Sequence, residues 1–193
     1  MRLTQACARS EGSSCDGEHV KELVLGGVRS GKSRYAEQQA RASGRRVVYF
    51  ATAIVGSDRE LAERVQRHRS YRPAEWVTVE EPVELGTALR AHAAADRCLL
   101  VECLTLWLAH LLTSGPTDRL EPERASLLRA VQEIPGDVIV VSNETGLGIM
   151  PPEALTRRFL DASGELHQSL AALCDRVTLV VAGLPQKLKE NFP

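Results

Sequence analysis

A chain of 193 residues with 44% hydrophobic content suits one domain with a real core and leaves little room for two. A formal charge of −1 supplies no global attraction to nucleic acid or anionic lipid, and the longest apolar runs, such as Val138 to Val141, are too short to span a bilayer. The five cysteines (Cys7, Cys15, Cys98, Cys103, Cys174) are scattered, odd in number and without CxxC spacing, which argues against a disulfide framework or structural zinc; Cys98 and Cys174 read as buried thiols.

Met1 to Glu18 is polar and lacks the apolar centre of a secretory signal, so residues 1–19 read as a flexible extension of a cytoplasmic protein and 20–193 as a single α/β domain. Strands are expected at Glu22 to Leu25, Arg46 to Phe50, Arg97 to Val101, Asp137 to Ser142 and Val177 to Ala182, with Trp76 to Val79 as a short addition. Several are apolar at consecutive positions, as suits strands covered on both faces. Helices are expected at about 32–43, 58–69, 83–95, 104–113, 120–133, 152–161 and 163–174, with a surface loop over Thr113 to Pro122. Strands separated by helices imply parallel pairing through crossovers.

After the first strand comes Gly26-Gly27-Val28-Arg29-Ser30-Gly31-Lys32-Ser33, which fits G-x-x-x-x-G-K-[ST] in the strand–loop–helix setting that this motif needs. Its glycines let the backbone wrap a phosphate closely, and the helix N-terminus adds a field favourable to anions. In such a cradle Lys32 holds the β and γ phosphates and the Ser33 hydroxyl ligates Mg²⁺. A carboxylate for the metal side should end a neighbouring apolar strand, and Glu102 stands where Cys98-Leu99-Leu100-Val101 stops. No N-K-x-D element of a GTPase switch is present; Asn143-Glu144-Thr145-Gly146 does not fit it.

The helix after Ser57-Asp58, either of which can cap it, places Leu61, Val65 and His68 at i, i+4 and i+7. Neutral imidazole is a competent nucleophile, and Arg64, Arg67, Arg69 and Arg72 around it could hold a phosphate chain; by spacing alone, a packing or surface histidine is the favoured reading. His19 follows the leader, and His92, His110 and His167 sit on ordinary helices.

Six ordered blocks add a resemblance: GGVRSGKSRYAE from Gly26, YFATA at Tyr49 to Ala53, RVQRHRSYRPAEWVTVEEP from Arg64 to Pro82, VECLTLWLAHLL from Val101, VIVVSNETGLGIMPPEALTRRFLD from Val138, and VVAGLPQKLK near the end. Over Leu23 to Lys189 the chain resembles the bifunctional adenosylcobinamide kinase / adenosylcobinamide-phosphate guanylyltransferase family of cobalamin biosynthesis. The resemblance implies a P-loop NTPase-like (RecA-like) fold, a mostly parallel sheet with helices on both faces. It implies two reactions at one nucleotide site: phosphoryl transfer from ATP or GTP to the aminopropanol hydroxyl of cobinamide, then GMP transfer from GTP through a guanylyl-histidine. It maps that histidine to His68 and GTP contacts to Ala51, Thr52, Ala53, Arg69, Ser70, Tyr71, Arg72, Glu80 and Glu102, beside the P-loop residues. Glu102 is thereby left between metal and nucleoside roles. A corrinoid substrate and a homotrimer are implied as well.

Two departures stand out. Some relatives carry adjacent histidines where this chain has Arg67 and His68, and family members often have asparagine at the place of His167, from which little consequence is expected. Ser142 to Pro152 reads either as a tight turn or as a wall for corrinoid or phosphates, with Asn143 and Glu144 as candidates. A small-molecule kinase without a covalent step, and a nucleotide-binding module without chemistry, are the alternatives.

Overall fold

The computed structural model describes residues 19–55, 59–70, 72–114 and 119–190, apart from the side chains of Leu61, Arg64, Arg67, His68 and Ser70. Residues 1–18 of the expected N-terminal extension, the expected Ser57/Asp58 cap and Tyr71 therefore lie outside the described residues. In chain order the elements are β1 (Lys21–Gly26), α1 (Lys32–Ala42), β2 (Arg46–Ala51), α2 (Arg59–Ser70), β3 (Val77–Glu80), α3 (Leu85–His92) and β4 (Arg97–Glu102). There follow α4 (Leu104–Thr113), α5 (Leu120–Glu133), β5 (Asp137–Asn143), α6 (Ala154–Leu173), β6 (Arg176–Val181) and β7 (Leu184–Glu190).

The strands form one 7-stranded sheet in the order β3-β2-β4-β5-β1-β6-β7. All pairings are parallel except β6 with β7. Successive strand residues are buried on opposite faces, which explains the unbroken apolar runs. Leu23, Phe50, Leu99, Val101, Val138 and Val140 pack under α3 to α6, with Leu85, Trp107, Leu127 and Leu166 completing that layer. Val24, Tyr49, Leu100, Ile139 and Val141 face the other way, against Ala36 and Ala40 of α1. Each large side chain so buried contributes about 1.5–3 kcal/mol. Cys98 and Cys174 are buried free thiols, pushed up to about 12 by burial.

Several sequence expectations are corrected. The helices expected at 152–161 and 163–174 are one helix, α6, running through Ser163 and Gly164, because Ala162, Leu166 and Leu170 keep an apolar stripe across the apparent break. Strand β7 was not expected at all. It is an antiparallel edge strand, Leu184-Pro185-Gln186-Lys187-Leu188-Lys189-Glu190, whose first five residues are exposed. Its turn has Ala182 at φ 52° and Gly183 at φ 80°, the two left-handed residues of a tight hairpin, so Ala182 belongs to the turn and not to β6. Lys189 on β7 then donates to the carbonyls of Ala171 (2.9 Å), Ala172 (3.3 Å) and Cys174 (2.7 Å), capping the end of α6 with a cation. Finally, α3 is shorter than the expected 83–95. The extra strand exists as β3, one residue later than Trp76 to Val79.

Candidate functional site

The carboxyl ends of β1, β2, β4 and β5 meet at the P-loop, where an open parallel sheet places ligands. Gly26 must lack a side chain: a Cβ there would sit 2.5 Å from Ser30 Oγ and 2.6 Å from the Val180 carbonyl oxygen. Arg29 (φ 56°) and Gly31 (φ 98°) turn the loop in the left-handed region before α1 begins. The loop is held by Ser30 N–H donating to Gly27 O (3.2 Å) and by the hairpin turn, whose Gly183 N–H donates to Ser30 O (2.7 Å). Lys32 is buried with Nζ donating to Gly27 O at 3.1 Å, folded back over its own loop.

Glu102 ends β4 beside this loop. The Ser33 hydroxyl donates to Glu102 Oε1 at 2.6 Å, while Oε2 is buried with no hydrogen-bond partner among the described residues. Burial raises the Glu102 carboxyl to about 7, opposed by the Ser33 hydrogen bond and the Lys32 charge. One strand over, Thr52 Oγ1 donates to Cys103 O (2.7 Å) and accepts from Cys103 N–H (2.9 Å), tying 51–53 to the residue after Glu102. Its hydroxyl is spent on that pin, which leaves Ala51 and Ala53 to face the site.

A cavity of about 1140 Å³ joins these parts. Of the sequence candidates, Val28, Arg29, Gly31, Lys32, Ser33, Ala51, Ala53, Arg69, Arg72, Glu80 and Glu102 line it. Gly26, Gly27, Ser30 and Thr52 lie behind its wall as parts of the loops that shape it. Ala62, Val65, Gln66 and Arg69 present one face of α2 to the cavity, and His68 stands on that helix one turn beyond Val65. The side chains of His68 and Ser70 lie outside the described part, as does Tyr71. Arg69 pairs with Glu80 across the exposed mouth.

Several contacts at the site were not legible from spacing. The Arg72 guanidinium lies 3.4 Å over the Tyr49 ring, and its Nε and Nη1 are buried without partners among the described residues. A cavity-lining guanidinium with two unspent donors fits a phosphate oxyanion. Asn143, one of the two candidates after β5, does line the cavity, and its N–H donates to Thr105 Oγ1 at 2.8 Å. Glu144 is turned the other way, toward Gly146 N–H (2.7 Å) and His167. His167 itself is not an ordinary helix residue: it is buried, with Nε2 2.7 Å from Ser142 Oγ and Nδ1 3.8 Å from Glu144 Oε2. No spacing rule could have found a partner 25 positions away.

The sequence profile of the family described as "Cobinamide kinase / cobinamide phosphate guanyltransferase" (CobU) matches residues 22–188. The chain belongs to this family. Among similar proteins, the bifunctional adenosylcobalamin biosynthesis protein CobP of Pseudomonas aeruginosa is 54% identical over 170 residues, covering 88% of this chain and 98% of that protein. The bifunctional adenosylcobalamin biosynthesis protein CobU of Salmonella typhimurium is 39% identical over 180 residues, 86% of this chain and 98% of its own. In fold, the CobU-family chain resembles a Pyrococcus horikoshii protein (TM-score 0.56, 11% identity, 92% and 91% of the two chains). It also resembles an ATPase of the type III secretion system (TM-score 0.51, 10% identity, 87% and 56%). These likenesses show the RecA-like P-loop α/β fold alone. Among the described residues no helix is long and apolar enough to cross a membrane.

Proposed function

We propose that this chain phosphorylates the aminopropanol hydroxyl of adenosylcobinamide with ATP or GTP, then transfers GMP from GTP through a guanylyl-histidine on His68, giving adenosylcobinamide-GDP. What carries the reading is one cavity in a CobU-family chain, with the phosphate cradle, the Ser33–Glu102 pair and Arg72 on its walls together with helix α2, which bears His68.

In the first reaction the acceptor oxygen bonds to the γ-phosphorus, the bond to the β-bridging oxygen breaks, and the nucleoside diphosphate leaves. Loop N–H groups hold the phosphates, and Lys32 unfolds from Gly27 O to meet them. Arg72, fixed by its stack on Tyr49, offers its two free donors to charge on the phosphate chain. In the second reaction an imidazole nitrogen of His68 bonds to the α-phosphorus and pyrophosphate leaves. A phosphate oxygen of cobinamide phosphate then displaces the histidine, a double displacement that predicts ping-pong kinetics for this half.

Mg²⁺ fits the donor set: a serine hydroxyl, a carboxylate with an orphaned oxygen, and phosphate oxygens to complete the shell. Ser33 and Glu102 would hold it, and bound there it would neutralise phosphate charge. Glu80, at the mouth with Arg69, is assigned to the nucleoside. Cytoplasmic residence and a homotrimer complete the proposal, and sedimentation reads the latter.

The test is incubation with Mg²⁺ and GTP labelled at the α-phosphate, followed by denaturation. Label that survives denaturation, is removed by acid and is absent from His68→Ala supports the covalent step. Unlabelled protein under conditions where GTP binds would leave a kinase without it.

A further inference from the structure

The His167 cluster joins α6 to the strand between the P-loop and Glu102. β5 pairs with β1, with Leu25 opposite Ser142 and Gly26 opposite Asn143, and on its other edge Val141 stands opposite Glu102. Asn143 therefore reaches the cavity between the two halves of the phosphate site. One imidazole lies against both of its neighbours: His167 Nε2 is hydrogen-bonded to Ser142 Oγ at 2.7 Å, with Ser163 Oγ at 3.5 Å, and Nδ1 stands 3.8 Å from Glu144 Oε2. Glu144 is also bound through its N–H to the Gly26 carbonyl, the first residue of the P-loop, at 3.0 Å.

Serine, histidine and glutamate in this order look like a nucleophile and its base, but Ser142 is 1% exposed and its hydroxyl cannot meet a substrate. The cluster has a positional use instead. In the tautomer with its proton on Nδ1, that proton faces the Glu144 carboxylate and bare Nε2 accepts from the Ser142 hydroxyl; the opposite tautomer would turn a lone pair toward the carboxylate. Burial, which lowers the pKa of His167 against the pull of Glu144, favours this neutral form.

We infer that His167 is a positioning residue of the transfer reaction: through its hydrogen bond to Ser142 it holds the end of β5 and so fixes the Asn143 side chain at the terminal phosphate or the acceptor hydroxyl. The inference deepens the proposed transferase reading and rests on it. It assigns Asn143 to the transferring group and makes a distant helix the source of its alignment. A misplacement of about 1 Å at such a residue costs on the order of 100-fold in rate, so a partial loosening is expected to cost about tenfold.

The experiment compares wild type with His167→Leu, which removes the ring's polar contacts, and His167→Gln, whose amide reaches the Nε2 position and keeps a partner for Ser142. Measured are kcat and KM for nucleotide in phosphoryl transfer to cobinamide, hydrogen exchange at the Asn143 backbone N–H, which donates to Thr105 Oγ1, and histidine ¹⁵N shifts of the wild type. Expected are a neutral Nδ1–H tautomer at His167, kcat down about tenfold in His167→Leu with KM within about threefold, exchange at Asn143 faster by a similar factor, and most of both recovered in His167→Gln. The inference is overturned by an Nε2–H or charged His167, by wild-type kcat in His167→Leu, or by His167→Gln no better than His167→Leu. If the wild type transfers no phosphate, the function reading falls, and the tautomer and the Asn143 exchange still decide whether His167 holds this strand end.

Discussion

Glu102→Gln should make the nucleotide-free protein more stable, and only above acidic pH. The Glu102 carboxyl titrates at about 7 in the folded chain against an ordinary value of 4.5, chiefly because burial disfavours its charge. The folded state thus holds the proton that the unfolded state gives up first. Stability from this group is fully present below about pH 4.5, falls as pH rises, and levels off past about 7. At about 1.4 kcal/mol per pH unit the loss reaches about 3 kcal/mol at pH 8. That figure is a ceiling, because part of the residue still faces the cavity. Glutamine cannot ionise, yet its side-chain oxygen can still accept the Ser33 hydroxyl. In urea unfolding the variant should lie within about 1 kcal/mol of wild type at pH 5 and above it by up to about 3 kcal/mol at pH 8. For a chain of this size that is a rise of up to about 6–12 °C in Tm at pH 8. A variant with no pH-dependent gain, or one less stable than wild type at pH 8, would refute the buried, strained carboxylate.

Arg72→Met keeps an apolar stem against Tyr49 and removes the unspent donors; nucleotide KM should rise about tenfold or more, with Tm within about 2 °C, and an unchanged KM would remove Arg72 from the phosphates. Gly86→Ala would put a Cβ 2.4 Å from the Ser126 carbonyl carbon, where α3 crosses α5, so calorimetry should find a loss of about 1–3 kcal/mol. Equal stability there would mean that the two helices separate at no cost. Lys189→Met strips the cation from three carbonyls at the end of α6 and should cost about 1 kcal/mol in urea unfolding, less in high salt. A neutral result would show that solvent satisfies those carbonyls as well.

The parts of the fold that were legible are those whose signal is local. Five parallel strands are written as consecutive apolar residues, and the P-loop as glycines, lysine and serine at fixed offsets. β7 escaped because an exposed edge strand with Pro185 and Lys187 has no buried face to alternate against; its one local cue was the Ala182-Gly183 pair. The helices expected at 152–161 and 163–174 are continuous because the stripe of Ala162, Leu166 and Leu170 runs across the gap between them. At the site, Ser33 is hydrogen-bonded to Glu102, and Lys32 lines the same cavity. The Tyr49–Arg72 stack and the clasp of Ser142, His167 and Glu144 depend on which strand ends become neighbours, and no single window of sequence contains that.

The most direct test of the two-step account is product analysis with adenosylcobinamide, GTP and Mg²⁺, comparing wild type with His68→Ala. The account predicts adenosylcobinamide-GDP from wild type, and adenosylcobinamide phosphate accumulating without the GDP product from His68→Ala. Formation of adenosylcobinamide-GDP by His68→Ala at the wild-type rate would contradict it.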